Sequence, residues 1–142
     1  MAKKRVKKNG RGAKPRMLCI LACDTMSRDQ VSFKITLHGL FDIIRIDNIP
    51  SIIPAFIFSE IFGGNGECEV FIKAFGPDGK QIAVSTPIHG KMRPDEVMNV
   101  GVQFSAVPLL DFGKIKLIVE IDGNKVEWPL EISVINAKKK SS

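Results

Sequence analysis

Aromatic and histidine side chains are scarce in this chain. It has no tyrosine, one tryptophan and two histidines among 142 residues. No aromatic residue occurs in residues 1–32, which argues against a base-stacking surface there, because such surfaces interleave exposed rings with cations. The sequence therefore offers few of the side chains on which stacking recognition or general acid–base catalysis depends.

Cysteines and long apolar runs are also few. Three cysteines, an odd number, cannot form a disulfide framework, so we expect a reducing compartment, the cytoplasm. Ile20 to Cys23 loosely resembles a lipoprotein cleavage site, but too few apolar residues precede Cys23 for a secretory signal. The segment from Leu40 to Phe62 is rich in Ile and Phe but is interrupted by charged residues and two prolines. We therefore expect no membrane insertion.

The charge is divided unevenly between the ends and the middle of the chain. The net charge is +6, yet residues 17–137 carry ten Lys and Arg against all fifteen Asp and Glu. Residues 1–16 have no acid and form a basic arm in which Gly10, Gly12 and Pro15 disfavour a regular helix. The cations of the arm and of the C-terminal tail are Lys3, Lys4, Arg5, Lys7, Lys8, Arg11, Lys14, Arg16, Lys138, Lys139 and Lys140.

Alternation of apolar and polar residues dominates the second half of the chain and predicts half-buried strands. Runs with this pattern cover residues 100–106, 115–121 and 126–134. The Asp122-Gly123-Asn124 segment between the last two predicts a tight hairpin, because glycine tolerates positive φ. Pro77-Asp78-Gly79-Lys80 predicts a second hairpin between residues 69–75 and 81–85.

The upstream apolar segments are short and are bounded by Pro, Gly, Asn or Asp, which brings the expected total to about eight strands. No segment has a sustained 3.6-residue period, although one helical turn could form at Pro94 to Met98. Crossover helices for a parallel sheet are missing. The sequence predicts an all-β, two-sheet antiparallel β-sandwich at residues 17–135, with a flexible, disordered basic arm at 1–16 and a basic tail at 136–142.

No catalytic or metal-binding pattern stands out. Cys19 and Cys23 would be about 13 Å apart on one strand, too far to share a zinc ion. His38 and His89 adjoin neither a nucleophile elbow nor a cysteine signature, and Asp24 and Asp42 are expected to be separate strand-end carboxylates. Gly63-Gly64-Asn65-Gly66 lacks the helix and the lysine of a phosphate-binding loop. We expect no enzyme activity, no cofactor and no metal.

Several short motifs resemble an uncharacterised bacterial family, known only as a domain of unknown function. They are Cys23-Asp24, the Gly39-Leu40-Phe41-Asp42-Ile43-Ile44 segment, Pro50 or Pro54, and Pro77-Asp78-Gly79, and the resemblance extends over roughly residues 17–134. It implies a sandwich fold. It implies no activity, cofactor or catalytic residue.

Two hypotheses about function follow. In the first, the domain is a non-catalytic interaction module for an unidentified protein partner, with the arm adding electrostatic attachment. Ile49, Ile52 and Ile53 could then form an exposed apolar patch, or they could close one end of the sandwich. In the second, residues 1–16 and 138–140 bind the phosphates of RNA or DNA without reading sequence, because clustered cations release counterions from a polyanion.

Overall fold

A computed structural model describes residues 14–138, and within that range the chain is all-β, as the sequence predicts. The two longest strands, Ser51–Phe62 and Val97–Leu109, have twelve and thirteen residues and pair with each other in one sheet. The strands are β1 (Arg16–Cys23), β2 (Thr25–Arg28), β3 (Ile35–His38), β4 (Ile43–Ile46), β5 (Ser51–Phe62), β6 (Gly66–Phe75), β7 (Gln81–Val84), β8 (Ile88–Met92), β9 (Val97–Leu109), β10 (Gly113–Ile121), β11 (Asn124–Lys125) and β12 (Leu130–Asn136).

These strands form two main sheets and a separate hairpin. The smaller sheet is antiparallel and has the order β1-β5-β9. The larger sheet has the order β4-β12-β10-β6-β7, with β8 paired to β6 and β11 paired to β10. The pair of β4 and β12 is parallel, whereas every other pair of strands is antiparallel. β2 and β3 form the two-stranded hairpin.

The core lies between the two sheets and comes from the inward-facing residues of both. In β10 the alternating residues Ile115, Leu117, Val119 and Ile121 are all buried, as the period of two predicts. Ile57 and Ile61 of β5 bury their side chains against them in the same cluster. Each such fully buried side chain contributes about 1.5–3 kcal/mol through the hydrophobic effect. Two faces of this kind explain why the chain folds as a sandwich.

Both predicted hairpins are confirmed. Asp122 and Gly123 connect β10 to β11 and have φ angles of 50° and 86°. Two consecutive residues with positive φ are what the favoured two-residue hairpin turn requires. At the other hairpin, between β6 and β7, the Gly76 N–H donates to the Lys80 carbonyl at 2.8 Å. The Asp78 carboxylate accepts from the Lys80 N–H at 3.0 Å.

Other details differ from the sequence expectation. Residues 14–138 form twelve strands rather than about eight, because β2, β8 and β11 form in segments outside the runs predicted from the sequence. The predicted strand at 126–134 divides where Glu127 takes a φ of 38° and Pro129, which lacks an N–H, precedes β12. Trp128, which the alternation in this run would place on the same face as the buried Val126, is 47% exposed. The segment from Pro94 to Met98 forms a turn and the start of β9, not a helical turn.

Two family-like motifs, Cys23-Asp24 and the segment from Gly39 to Ile44, meet at one junction. Asp24 follows β1, and its N–H donates to the His38 carbonyl at 2.9 Å. Gly39 has a φ of 71°, and its missing side chain leaves the space that the Asp24 carboxylate occupies. The Phe41 N–H donates to the Ala22 carbonyl at 3.0 Å. The motifs therefore fix the place where the chain leaves β1, forms the β2–β3 hairpin and crosses to the larger sheet.

The junction can be tested with Gly39→Ala, for which Gly123→Ala is the matched control. Both glycines have positive φ, but a Cβ at Gly123 would have no atom within 4 Å. We expect Gly123→Ala to lower the free energy of unfolding by about 1–2 kcal/mol and Gly39→Ala to lower it by about 2–4 kcal/mol, because it also displaces Asp24. Urea denaturation measures both, and equal losses would contradict this account of Gly39.

Candidate interaction edge and cationic ends

The free edge of β1 is closed by contacts from elsewhere in the chain. The Met17 N–H donates to Glu127 Oε1 at 2.6 Å, and the Arg16 guanidinium lies 3.7 Å from Glu127 Oε2. The register shifts between Met17 and Cys19, and Ala22 bridges to Phe41. Since edge strands are commonly protected by bulges, charges and covering segments, β1 is a protected edge.

The larger sheet protects its edges by other means. β4 and β7 have four residues each and β8 has five, too few to offer a long row of free backbone groups. β4 also carries Arg45 and β8 carries Lys91, and a charged side chain on an edge disfavours pairing with another chain.

The outer edge of β9 has none of these protections along most of its length. β9 pairs with β5, and within residues 14–138 no strand pairs with its other edge. Its thirteen residues include no Lys, Arg, Asp, Glu or His. Pro108 and a register shift opposite Pro54 affect only its C-terminal part. Residues 97–104 are therefore a regular and uncharged strand edge to which no strand of the described chain is paired, although β7 and β8 of the other sheet approach it and Met98 packs against Gly90.

A shallow cleft of about 360 Å³ runs between this edge and β7. Both sheets end here, with β7 at the edge of one and β9 at the edge of the other. Ala83 of β7 and Val102 of β9 are half-buried in the cleft, and Val84 is 45% exposed. The cleft is lined by Ile82, Ala83, Val84, Ser85, Thr86, Val102, Gln103, Phe104, Ser105 and Ala106.

Phe56 covers the outer face of β9 near its middle. A Cβ built on Gly101 would lie 2.6 Å from Phe56 Cζ, so the ring occupies the space above this glycine. Asn99 and Gln103 lie on the same outer face, one on each side of Gly101, and both are exposed. The Gln103 side-chain amide donates to the Phe104 carbonyl at 3.3 Å. The edge is thus apolar at its centre and carries an uncharged amide on each side.

Only three of the eleven predicted phosphate-binding cations lie within the described residues. Arg16 begins β1 and pairs with Glu127, so the first strand starts where the arm was expected to end. Lys14 is exposed, and the Lys138 N–H donates to Asn136 Oδ1 at 2.9 Å. The cations outside the described residues are Lys3, Lys4, Arg5, Lys7, Lys8, Arg11, Lys139 and Lys140.

The two cationic segments join the sandwich at opposite ends. Arg16 pairs with Phe62, the last residue of β5. Lys138 follows β12, which ends at the other end of the sandwich, where Ser51 begins β5. The twelve residues of β5 span roughly 35 Å at the usual rise per residue. The arm and the tail therefore do not form a single basic surface at their points of attachment.

A depression lies at the Arg16 end of the described surface. It has a volume of about 860 Å³ and lies between the start of β1, the Gly63–Gly66 loop and the β10–β11 hairpin. Lys14, Arg16 and Lys125 supply positive charge, and Asp122 and Glu127 supply negative charge. With mixed charges, and with Glu127 already paired to Arg16, the depression does not form a strongly basic pocket.

Burial raises the pKa of all three thiols. For Cys19, which is half-buried, the negative charge of Glu60 raises the pKa further, and the thiol donates to Glu60 Oε1 at 3.6 Å. Cys23 and Cys68 are buried, and desolvation is the main cause of their raised pKa values. Since the thiolate is the nucleophile, these cysteines are packing residues with low reactivity.

The structure brings Ser27 and His38 together, a pair that sequence reasoning missed. Ser27 Oγ lies 3.0 Å from His38 Nε2 on the exposed β2–β3 hairpin. Within residues 14–138 no carboxylate hydrogen bonds to His38, so the pair lacks the orienting group of a catalytic triad. In the same range, no group of three or more His, Cys, Asp or Glu side chains is placed to hold a metal ion.

The sequence left open whether Ile49, Ile52 and Ile53 form an exposed apolar patch or close one end of the sandwich, and the three residues differ in the structure. Ile49 and Ile53 pack against the core, as expected if they close one end of the sandwich. Ile52 is 66% exposed. A single exposed side chain does not amount to an apolar patch, so the open edge of β9 is the stronger candidate for an interaction surface. This edge was not singled out in the sequence, because strand order is not visible there.

The chain belongs to the family of unknown function DUF6941, whose profile matches residues 18–134. This result confirms the resemblance to an uncharacterised domain family. A search of curated proteins finds no match. Among solved structures 39 chains match. One is the CARDB domain of a Pyrococcus furiosus protein in complex with di-metal ions, with 9% identity, coverage of 82% of this chain and 88% of that chain, and a TM-score of 0.39.

In the described part of the chain, no helix has the length and apolar character needed to cross a membrane.

Thiol reactivity tests the description of the cysteines. We expect iodoacetamide to alkylate native Cys19 at pH 7.5 more slowly than a cysteine in a short peptide, and Glu60→Gln to speed the reaction, because removing the charge lowers the pKa of Cys19. Glu67→Gln, an exposed site on another strand, is the control. Mass spectrometry of digested samples gives the rates, and an unchanged rate in Glu60→Gln would contradict the role of Glu60.

Proposed function

We propose that this chain is a non-catalytic interaction domain that presents the open edge of β9 to a protein partner. The observation that carries the proposal is the uncharged edge at residues 97–104, with the cleft beside it. An extended segment that pairs with such an edge gains main-chain hydrogen bonds, while adjacent pockets select alternate side chains. The half-buried Ala83 and Val102 in the cleft offer apolar contact to those side chains.

The surroundings of the nucleophilic side chains support the non-catalytic part of the proposal. The raised pKa values keep the thiols protonated near neutral pH. A reactive cysteine requires the opposite, a lowered pKa in a positively charged environment. The Ser27–His38 pair lies on an exposed hairpin rather than in a concave site. In this proposal the domain works in the cytoplasm, and its basic arm adds electrostatic attachment.

Lysines placed on the β9 edge test the interaction. Asn99→Lys combined with Gln103→Lys adds two charges at exposed sites, and Thr25→Lys combined with Thr36→Lys adds the same charge on the β2–β3 hairpin. We expect the first variant to lose proteins that wild type and control retain in a nuclease-treated pull-down at moderate salt, because edge lysines oppose strand addition. Quantitative mass spectrometry measures recovery, and equal recovery by all three would contradict the proposal.

A second candidate function is attachment to RNA or DNA through phosphate. It is favoured by the position of Lys14, which is exposed at the Arg16 end near Lys125, so that the arm joins the domain beside another cation. Attachment points roughly 35 Å apart would let the arm and the tail contact separate stretches of a polyanion. Such binding would be independent of sequence and strongly dependent on salt.

Deletion of residues 1–13 tests this second function. The deletion ends before Arg16 and Met17, because both contact Glu127 and their loss would disturb β1. We expect retention on RNA at low salt to fall, with a smaller slope of log affinity against log salt, and the thermal midpoint to stay nearly constant. Equal retention with an unchanged slope would contradict a role for the arm.

A further inference from the structure

We propose that two copies of this chain pair through their β9 strands, antiparallel and in a register centred on Gly101, to form a continuous six-stranded sheet. The inference rests on the proposed function, because it uses the same open edge, and it names a second copy of the chain as the partner. The six strands would have the order β1-β5-β9-β9-β5-β1.

The absence of charge on β9 favours a second copy as the occupant. In a two-fold symmetric contact the same surface serves both partners, and near the axis each side chain meets itself or a close neighbour. A lysine or glutamate there would face the same charged residue, or a close neighbour of it, in the other copy. Many edge strands carry such charges, which prevent them from pairing with themselves. The edge strands β8 and β4 of the larger sheet carry charges, whereas β9 carries none over thirteen residues.

The alternation of faces restricts the possible registers. Residues directly opposite each other in an antiparallel pair lie on the same face of the sheet. The buried face of one copy therefore continues into the buried face of the other only if the two paired residue numbers have an even sum. A shift by one residue would place apolar residues against the solvent face. The symmetric register must then be centred on a residue, not between two residues.

Gly101 is the residue best suited to that centre. The central residue meets its own copy across the two-fold axis, and glycine brings no side chain to this contact. The segment from Met98 to Phe104, symmetric about Gly101, lies in the part of β9 that pairs with β5 without a register shift. On the outer face this register places Asn99 opposite Gln103 of the other copy.

The same register covers apolar side chains that are only half-buried in the isolated chain. Val100 would lie opposite Val102 of the other copy, and Met98 opposite Phe104. Val100 and Phe104 are already buried, whereas Met98 and Val102 are half-buried beside the open edge. Pairing would remove these two side chains from water and would satisfy the free backbone groups of both edges, two gains that act in the same direction.

The mass in solution and two charge variants test the pairing. We expect wild type to sediment at twice the 15.7 kDa of the chain. Asn99→Lys with Gln103→Lys should be monomeric, because each lysine faces another. Asn99→Lys with Gln103→Glu should restore the dimer, because each lysine then faces a glutamate. Both variants change exposed sites, and matching circular dichroism spectra would show that they fold.

Disulfide trapping tests the register independently. Asn99→Cys and Gln103→Cys should each fail to cross-link alone under mild oxidation, since identical positions do not face each other. A mixture of the two variants should give a cross-linked heterodimer, because facing Cβ atoms lie within about 5 Å. The wild-type chain controls for its native thiols. Cross-linked homodimers of either variant, with no cross-linked heterodimer in the mixture, would overturn the Gly101 register.

The outcomes separate this inference from the proposed function. A wild-type chain that stays monomeric at all concentrations would overturn the pairing. If the lysine variant nevertheless loses a protein that wild type retains in the pull-down, the edge is an interaction surface for a different protein, and the proposed function stands. If the wild type forms a stable dimer but the wild type and the lysine variant recover the same bound proteins, the pairing stands. Only the proposal that the edge binds a different protein is then contradicted.

Discussion

Every strand edge in a β-sandwich leaves backbone N–H and C=O groups that must find partners or face water, and this constraint organises the molecule described here. The smaller sheet has only three strands, so both of its outer strands are edges. One of them, β1, is closed by Glu127, by a register shift and by Phe41. The other, β9, stays open, and its uncharged sequence makes it the surface from which the proposed interactions follow.

Closing the β1 edge requires unusual local geometry elsewhere. Glu127 reaches Met17 from a segment where its own φ is positive, and this segment divides β11 from β12. Phe41 reaches Ala22 because the chain turns sharply at Gly39, over the Asp24 carboxylate. The Cys23-Asp24 motif and the segment from Gly39 to Ile44 therefore help to cover one edge of the smaller sheet, whereas Pro77-Asp78-Gly79 forms the β6–β7 hairpin. They have a structural role that does not depend on any catalytic activity.

Much of the fold could be predicted from local patterns. The alternation in β10 and the turn residues at Asp122-Gly123 and Pro77-Asp78-Gly79 are local signals, and the structure confirms what they predict. The parallel pairing of β4 with β12 could not be read from the sequence, because it joins segments far apart in the chain. For the same reason the open edge was missed: residues 97–109 are visibly uncharged, but only the strand order shows that they lie at an edge.

The central claim is that the outer edge of β9 is open in the isolated chain, and amide hydrogen exchange resolved to single residues tests it most directly. In an edge strand, alternate N–H groups bond to the neighbouring strand and the others face outward. At high dilution we expect alternate amides between Val97 and Phe104 to exchange quickly while those bonded to β5 stay protected. Uniform protection of the whole segment at the lowest concentration would contradict the claim.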